Sequence, residues 1–275
     1  MPKILFLLSA LMLFSSCEQL VNIGDVTSSQ KYPAKTGHEW EYYTEWKLEY
    51  YDTTGHINRT SNGSSGNTIV RIIKEDYTLG LYKDLVLFES FDLSTPQNIN
   101  RIWYLNADSG LFAIAYSNAG SSQFVWPKQR NTSLEQLHNF VRTIGIFPSF
   151  ADANTALYPQ TDTIRYYSPS RKVLTYPLRI GSRWIELTIP FFRERFIEKQ
   201  QSINTNGQDY YCYKVESNWT WVPNLEFTDY VDLNSGLVMR EIIADSVAQV
   251  LPDSPDIAGY FKSTTISKLV REKKR

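Results

Sequence analysis

A chain of 275 residues is long enough for one large or two small domains. It carries 28 basic against 29 acidic residues, a net charge of −1, so no strong field recruits nucleic acid or an anionic surface. Two cysteines exclude a disulfide-knit scaffold, and 18 tyrosines point to strands and half-wet surfaces, hence a mainly β fold.

Residues 1–16 have the three parts of a secretory signal. Lys3 supplies the positive charge, Ile4 to Phe14 are apolar apart from Ser9, and Ser15 and Ser16 are small. The apolar run is too short to span a bilayer as a helix, which takes about 20 residues. It therefore reads as a cleaved leader.

The run Leu13-Phe14-Ser15-Ser16-Cys17 resembles the lipobox of bacterial lipoproteins, although Phe14 stands where leucine is usual. In that family a peptidase cuts before the cysteine, which becomes the lipidated N-terminus. The resemblance implies a thioether from Cys17 to diacylglycerol and an acylated amine of the palmitate kind. Two or more acyl chains tether stably, where one binds only marginally. Glu18 follows, rather than the aspartate of inner-membrane retention, which implies the outer membrane of a Gram-negative envelope. Residues 17–30 read as the lipidated cysteine and its tether.

Residues 31–126 read as a first β repeat. Trp40, Tyr42, Thr44, Trp46, Leu48 and Tyr50 alternate with Glu39, Glu41, Tyr43, Glu45, Lys47 and Glu49. That period of two predicts a strand with one buried and one wet face. His56 to Asn67, with its Thr-Ser-Asn-Gly-Ser-Ser-Gly-Asn run, reads as a loop. Further strands are expected at 68–74, 85–90, 102–105 and 111–116.

Residues 127–174 read as a linker with one helix. Leu134, Leu137, Val141 and Ile144 repeat at helical spacing, Thr132 and Glu135 form a capping box, and Gly145 ends it.

Residues 175–275 read as a second β repeat. Tyr32-Pro33-x3-Gly37-x2-Trp40 recurs as Tyr176-Pro177-x3-Gly181-x2-Trp184, and the run from Tyr104 through Ser109-Gly110 recurs from Tyr230 through Ser235-Gly236. The first copy is about 18 residues longer, an excess assigned to the His56–Asn67 segment. The fold expected is two tandem repeats of curved, half-barrel-like antiparallel meander sheet with one linking helix. The segment Pro177 to Trp184 resembles a P-L-x-x-G-x-x-W module of uncharacterised envelope lipoproteins, and the first copy, with Ala34 in place of leucine, matches it less well. The tethered β-rich character also looks like the half-barrel lipoprotein carriers of the periplasm.

No catalytic constellation is visible. His38, His56 and His138 lack metal-site spacing, no nucleophile elbow or phosphate loop appears, and Cys212 sits in an apolar strand as a small hydrophobe. No catalytic residue, metal or cofactor is expected. Trp219 and Trp221, two apart on one strand, are the candidate ligand-binding residues, with burial in a core as the competing reading. The basic run Lys268 to Arg275 reads as a solvated end. The expected function is that of a non-enzymatic, lipid-anchored envelope protein binding a hydrophobic ligand or a protein partner. A surface glycan-binding module is the alternative, and a carboxylate-based hydrolase the weaker third. The expected partners are the membrane, through the anchor, and a lipid, a glycan or an envelope protein.

Overall fold

In the computed structural model the described residues are 30–117, 164–188, 192–219, 224–250 and 256–274. They form twelve antiparallel strands in one nearly closed, barrel-like sheet. The first half holds β1 (Glu39–Tyr51), β2 (Ile57–Leu79), β3 (Tyr82–Asp92), β4 (Asn100–Ala107), β5 (Gly110–Ser117) and β6 (Arg165–Thr175). The second holds β7 (Arg183–Leu187), β8 (Arg193–Thr205), β9 (Gln208–Trp219), β10 (Leu225–Asp232), β11 (Gly236–Val250) and β12 (Ile257–Lys273). No helix occurs among the described residues. The expected helix at 132–145 lies outside them, as do Cys17 and the leader.

Strand order follows the chain, with two exceptions. The first strand pairs with the last, Trp40 opposite Glu272. The sheet's two edges are β6 and β7, consecutive in sequence but not laddered to each other. Side chains bridge this seam instead: the Trp184 indole N–H donates to the Lys172 carbonyl at 2.9 Å, and Arg171 pairs with Glu186. β6 falls inside the segment expected to be linker.

Alternation determines what faces inward. On β1, Trp40, Tyr42, Thr44 and Leu48 are buried, while Glu45 and Lys47 are exposed. The same parity carries across the sheet, so Val70, Ile72, Phe88 and Tyr104 join Trp40 in the main core. A second cluster lies on the opposite face of β3–β5, where Leu85, Leu87, Trp103 and Ile114 meet Tyr77 and Leu79. The β2–β3 hairpin reaches them because register shifts after Ile72, Lys74 and Tyr77, with left-handed Asp76 and Asp84, bend it.

The barrel has two unlike poles. At one, strands turn tightly at Gly80, Ser109-Gly110, Asn206-Gly207 and Ser235-Gly236. This turn pole also receives the chain at Gln30 and releases it after Lys273. The opposite loop pole carries the β1–β2 and β3–β4 connections.

The two Tyr-Pro-x3-Gly-x2-Trp segments have matching local geometry at the turn pole. Gly37 N–H donates to the Ile72 carbonyl (3.0 Å), whose own N–H donates to His38 O (2.9 Å). Gly181 N–H donates to Ile197 O (2.9 Å), and Ile197 N–H donates to Ser182 O (3.0 Å). Gly37 and Gly181 hold φ of 86° and 84°, a backbone conformation costly for other residues. Each tyrosine then crosses the pole. The Tyr32 hydroxyl accepts from Leu237 N–H at 3.1 Å, and the Tyr176 hydroxyl accepts from Tyr32 N–H at 2.9 Å. Gly236 must be glycine for a second reason, since a Cβ there would lie 2.7 Å from the Tyr32 hydroxyl.

The structure corrects one sequence expectation outright. The segment His56 to Asn67 is not a loop; from Ile57 on it is strand, laddered to β1 from Tyr51–Ile57 to Tyr43–Asn67 with bulges at Asn58 and Ser65. Ile72 follows Trp40 by 32 residues, whereas Ile197 follows Trp184 by 13. The β1–β2 hairpin is thus longer than the β7–β8 hairpin.

Candidate functional site

Two polar constellations stand out, one inside the barrel and one on its wall. The inner one begins with β8, where Arg193, Arg195 and Ile197 share a parity and so point into the barrel. Arg171 comes from β6, Glu186 from β7, Asp229 from β10 and Arg240 from β11, and all six charged groups are buried. Glu186 accepts from Arg171 at 2.5 Å and from Arg193 Nε at 2.6 Å, with Arg195 at 3.5 Å. Asp229 accepts from Arg195 at 2.8 Å and from Arg240 Nε at 2.7 Å. The Phe227 ring lies beneath three guanidinium groups, with Arg193, Arg195 and Arg240 at 5.0, 5.3 and 4.7 Å from its centroid.

Burial alone would raise both carboxyl pKa values. At Glu186 it is outweighed by Arg193, Arg171 and Arg195, which hold the group below its ordinary range. At Asp229 it is outweighed by Arg240 and Arg195. Both side chains are therefore ionised, and every carboxylate oxygen is engaged. Such groups have no proton to donate. A carboxylate hydrolase needs one acid kept protonated beside one base. What the cluster does is tie five strands together across the seam.

The outer constellation is a cleft of about 550 Å³ on β2, β1 and β12. It is lined by Tyr43, Glu45 and Lys47 of β1, Asn62 and Ser64 of β2, and Thr264 and Ile266 of β12, with Trp46 and Gly63 between them. Register explains the set. Glu45 stands between Ser64 and Ile266, and Lys47 between Asn62 and Thr264, all on the wet face that β1's alternation predicts. Gly63 is forced by its neighbour, because a Cβ would lie 2.7 Å from the Trp46 ring.

The residues singled out from sequence fall elsewhere. Cys17, Trp221 and His138 lie outside the described residues. Trp219 ends β9 at the loop pole, its Cα opposite Arg193. His38 is buried, stacked on Trp40 at 4.1 Å and 2.7 Å from Glu272, while His56 sits in the exposed β1–β2 turn. Cys212 is wholly buried, and burial first, then Asp232, pushes its thiol up to about 12, so it is inert. Sequence reasoning missed the arginine cluster. Its signal was present: Arg193 and Arg195 share parity with Ile197, not with the exposed Glu198.

No protein-family model matches the chain, and no curated protein matches it. Among solved structures it is similar to a protein from Bacteroides fragilis, described provisionally as exported and as having a YmcC-like fold. The identity is 14%, the alignment covers 90% of this chain and 100% of that one, and the TM-score is 0.36. It is also similar to a protein from Parabacteroides distasonis, described provisionally as a lipoprotein, at 10% identity, 88% and 97% coverage and a TM-score of 0.29.

Proposed function

We propose that this chain is a lipid-anchored, non-enzymatic binding module of the bacterial envelope, held at the outer membrane through Cys17. The observation that carries the reading is the segment Ile4 to Cys17, a leader too short to span a membrane and ending on a lipobox-like cysteine. The non-enzymatic part is supported by the inner carboxylates, both clamped by arginines. The barrel itself is two tandem half-barrels, residues 31–126 and 175–275, joined through a 127–174 linker that carries the 132–145 helix and ends in β6. The matching bonds of Gly37 and Gly181 support that division.

A hydrophobic ligand or a protein partner is then met outside the barrel, since its interior is filled by Trp40, Tyr42 and the arginines. Trp219, whose Cα ends β9, and Trp221 are the residues this reading assigns to that contact. The test is fractionation of cells carrying the wild-type chain or Cys17→Ser, with mass spectrometry of the mature N-terminus. The wild type should sediment with outer membranes and bear a diacylglyceryl cysteine. The variant should be soluble and folded. An unmodified thiol on the wild type, or a Cys17→Ser chain that still sediments, overturns the anchor.

A further inference from the structure

We infer that the cleft on β2, β1 and β12 is a binding site for a neutral saccharide chain. Three independent observations converge on it. The first is unspent polarity. The side chains of Tyr43, Glu45, Asn62, Ser64 and Thr264 make no hydrogen bond or ion pair among the described residues. Elsewhere on the wet face several charged groups are engaged: Arg271 with Glu41, Lys214 with Glu198 and Glu216, Lys262 with Asp245. The cleft thus gathers a phenol ring, an amide, two hydroxyls and a carboxylate into one concavity. A sugar presents a C–H face to a ring and a rim of hydroxyls to such donors and acceptors.

The second observation is a conflict between composition and conformation. Asn and Gly are depleted from strands, yet the run Ser61 to Asn67 is laddered to β1 on both sides of a bulge at Ser65. Where local preference is overridden, a functional reason is the expected cause. Short side chains here leave a trough beside Tyr43 and Glu45 that larger, β-favouring residues would fill.

The third is placement. The cleft sits on the part of the β1–β2 hairpin by which it exceeds the β7–β8 hairpin. A module that needed only its barrel would not require this extension. Charge disfavours an anionic occupant, because Glu45 is unpaired in the cleft among the described residues while Lys47 is already held by Glu49 at 2.7 Å.

The inference rests on the reading of the chain as a binding module, but not on its anchor, since binding by the solubilised chain is independent of Cys17. The probes are four neutral hexasaccharides, built from glucose, mannose, galactose and N-acetylglucosamine, titrated calorimetrically into the purified full chain in detergent. At least one should bind saturably. Tyr43→Ala and Asn62→Ala should each weaken it by about tenfold, the loss expected for one stacking or hydrogen-bonding contact. Ser64→Trp should fill the trough and abolish binding without changing the melting temperature. Glu198→Gln, on the far wall, should bind as wild type. Failure of all four probes, or binding that survives Ser64→Trp in a folded chain, overturns the inference.

Discussion

The six buried charges give the sharpest test at the level of single residues. Replacing a buried ion pair wholesale can be nearly neutral, but removing one partner strands the other in a dry interior. Glu186 faces three arginines, so Glu186→Gln leaves uncompensated positive charge inside the barrel. We expect a loss of roughly 3–5 kcal/mol in urea unfolding. Asp229→Asn should behave alike, through Arg195 and Arg240. The same groups set the acid limit. Both carboxyl pKa values are lower in the folded chain than in the unfolded one. Folding thus favours the ionised form, and the stabilisation is complete above the unfolded values, near about 4. It is lost as pH falls through the lower folded values. Melting temperatures at pH 7, 5 and 3 should therefore hold between the first two and drop at the third. The drop should be smaller in Glu186→Gln, and an equal drop in both proteins would remove Glu186 as its source.

Among the elements, β6 and β7 differ from every other neighbouring pair. They are joined by a buried ion pair and one indole hydrogen bond rather than by a ladder. Backbone amides on that side have no strand partner holding them, so local opening should begin there. Hydrogen exchange should be faster at Arg183–Leu187 than at β1 and β12, whose central amides are bonded on both sides. Uniform protection around the barrel would contradict the seam. The elements also show what the sequence made legible. The alternation of β1 was readable because every inward residue but Thr44 is large and apolar and every outward one but Tyr43 is charged. The hairpins at Ser109-Gly110 and Ser235-Gly236 were readable because left-handed turn positions favour glycine. The Ser61–Asn67 strand was not, since its conformation comes from pairing with β1 and contradicts its own preferences. The arginine cluster was hidden for a related reason. Charged residues are almost never fully buried unless paired, and the partners lie on four other strands. The cleft combines residues from three strands, one at each end of the chain, so no local pattern could announce it.

For the whole molecule, the order of strands makes a circular claim that a rearranged chain can check. The sheet runs from β7 through β12, then β1 to β6, so the bonded order begins at one side of the seam and ends at the other. The start of β1 and the end of β12, by contrast, lie in the middle of the sheet, side by side at the turn pole through Trp40 and Glu272. Joining Lys274 to Gln30 by a short linker and opening the chain between Arg179 and Ile180 would make sequence order equal sheet order. Ile180 is exposed, and the opened bond lies in the connection between the two edges. Exposed connections of this kind tolerate new termini. The permuted chain should fold, and its cleft, with β12 and β1 now consecutive, should be intact. A chain truncated before β12 should not fold, because β1 and β11 would both lose their common neighbour and the central row of the sheet would be cut. Cooperative thermal unfolding of the permutant, together with aggregation of the truncation, is the expected pair of results. A permutant that fails while the truncation melts cooperatively would mean that β1–β12 pairing is not what closes the molecule.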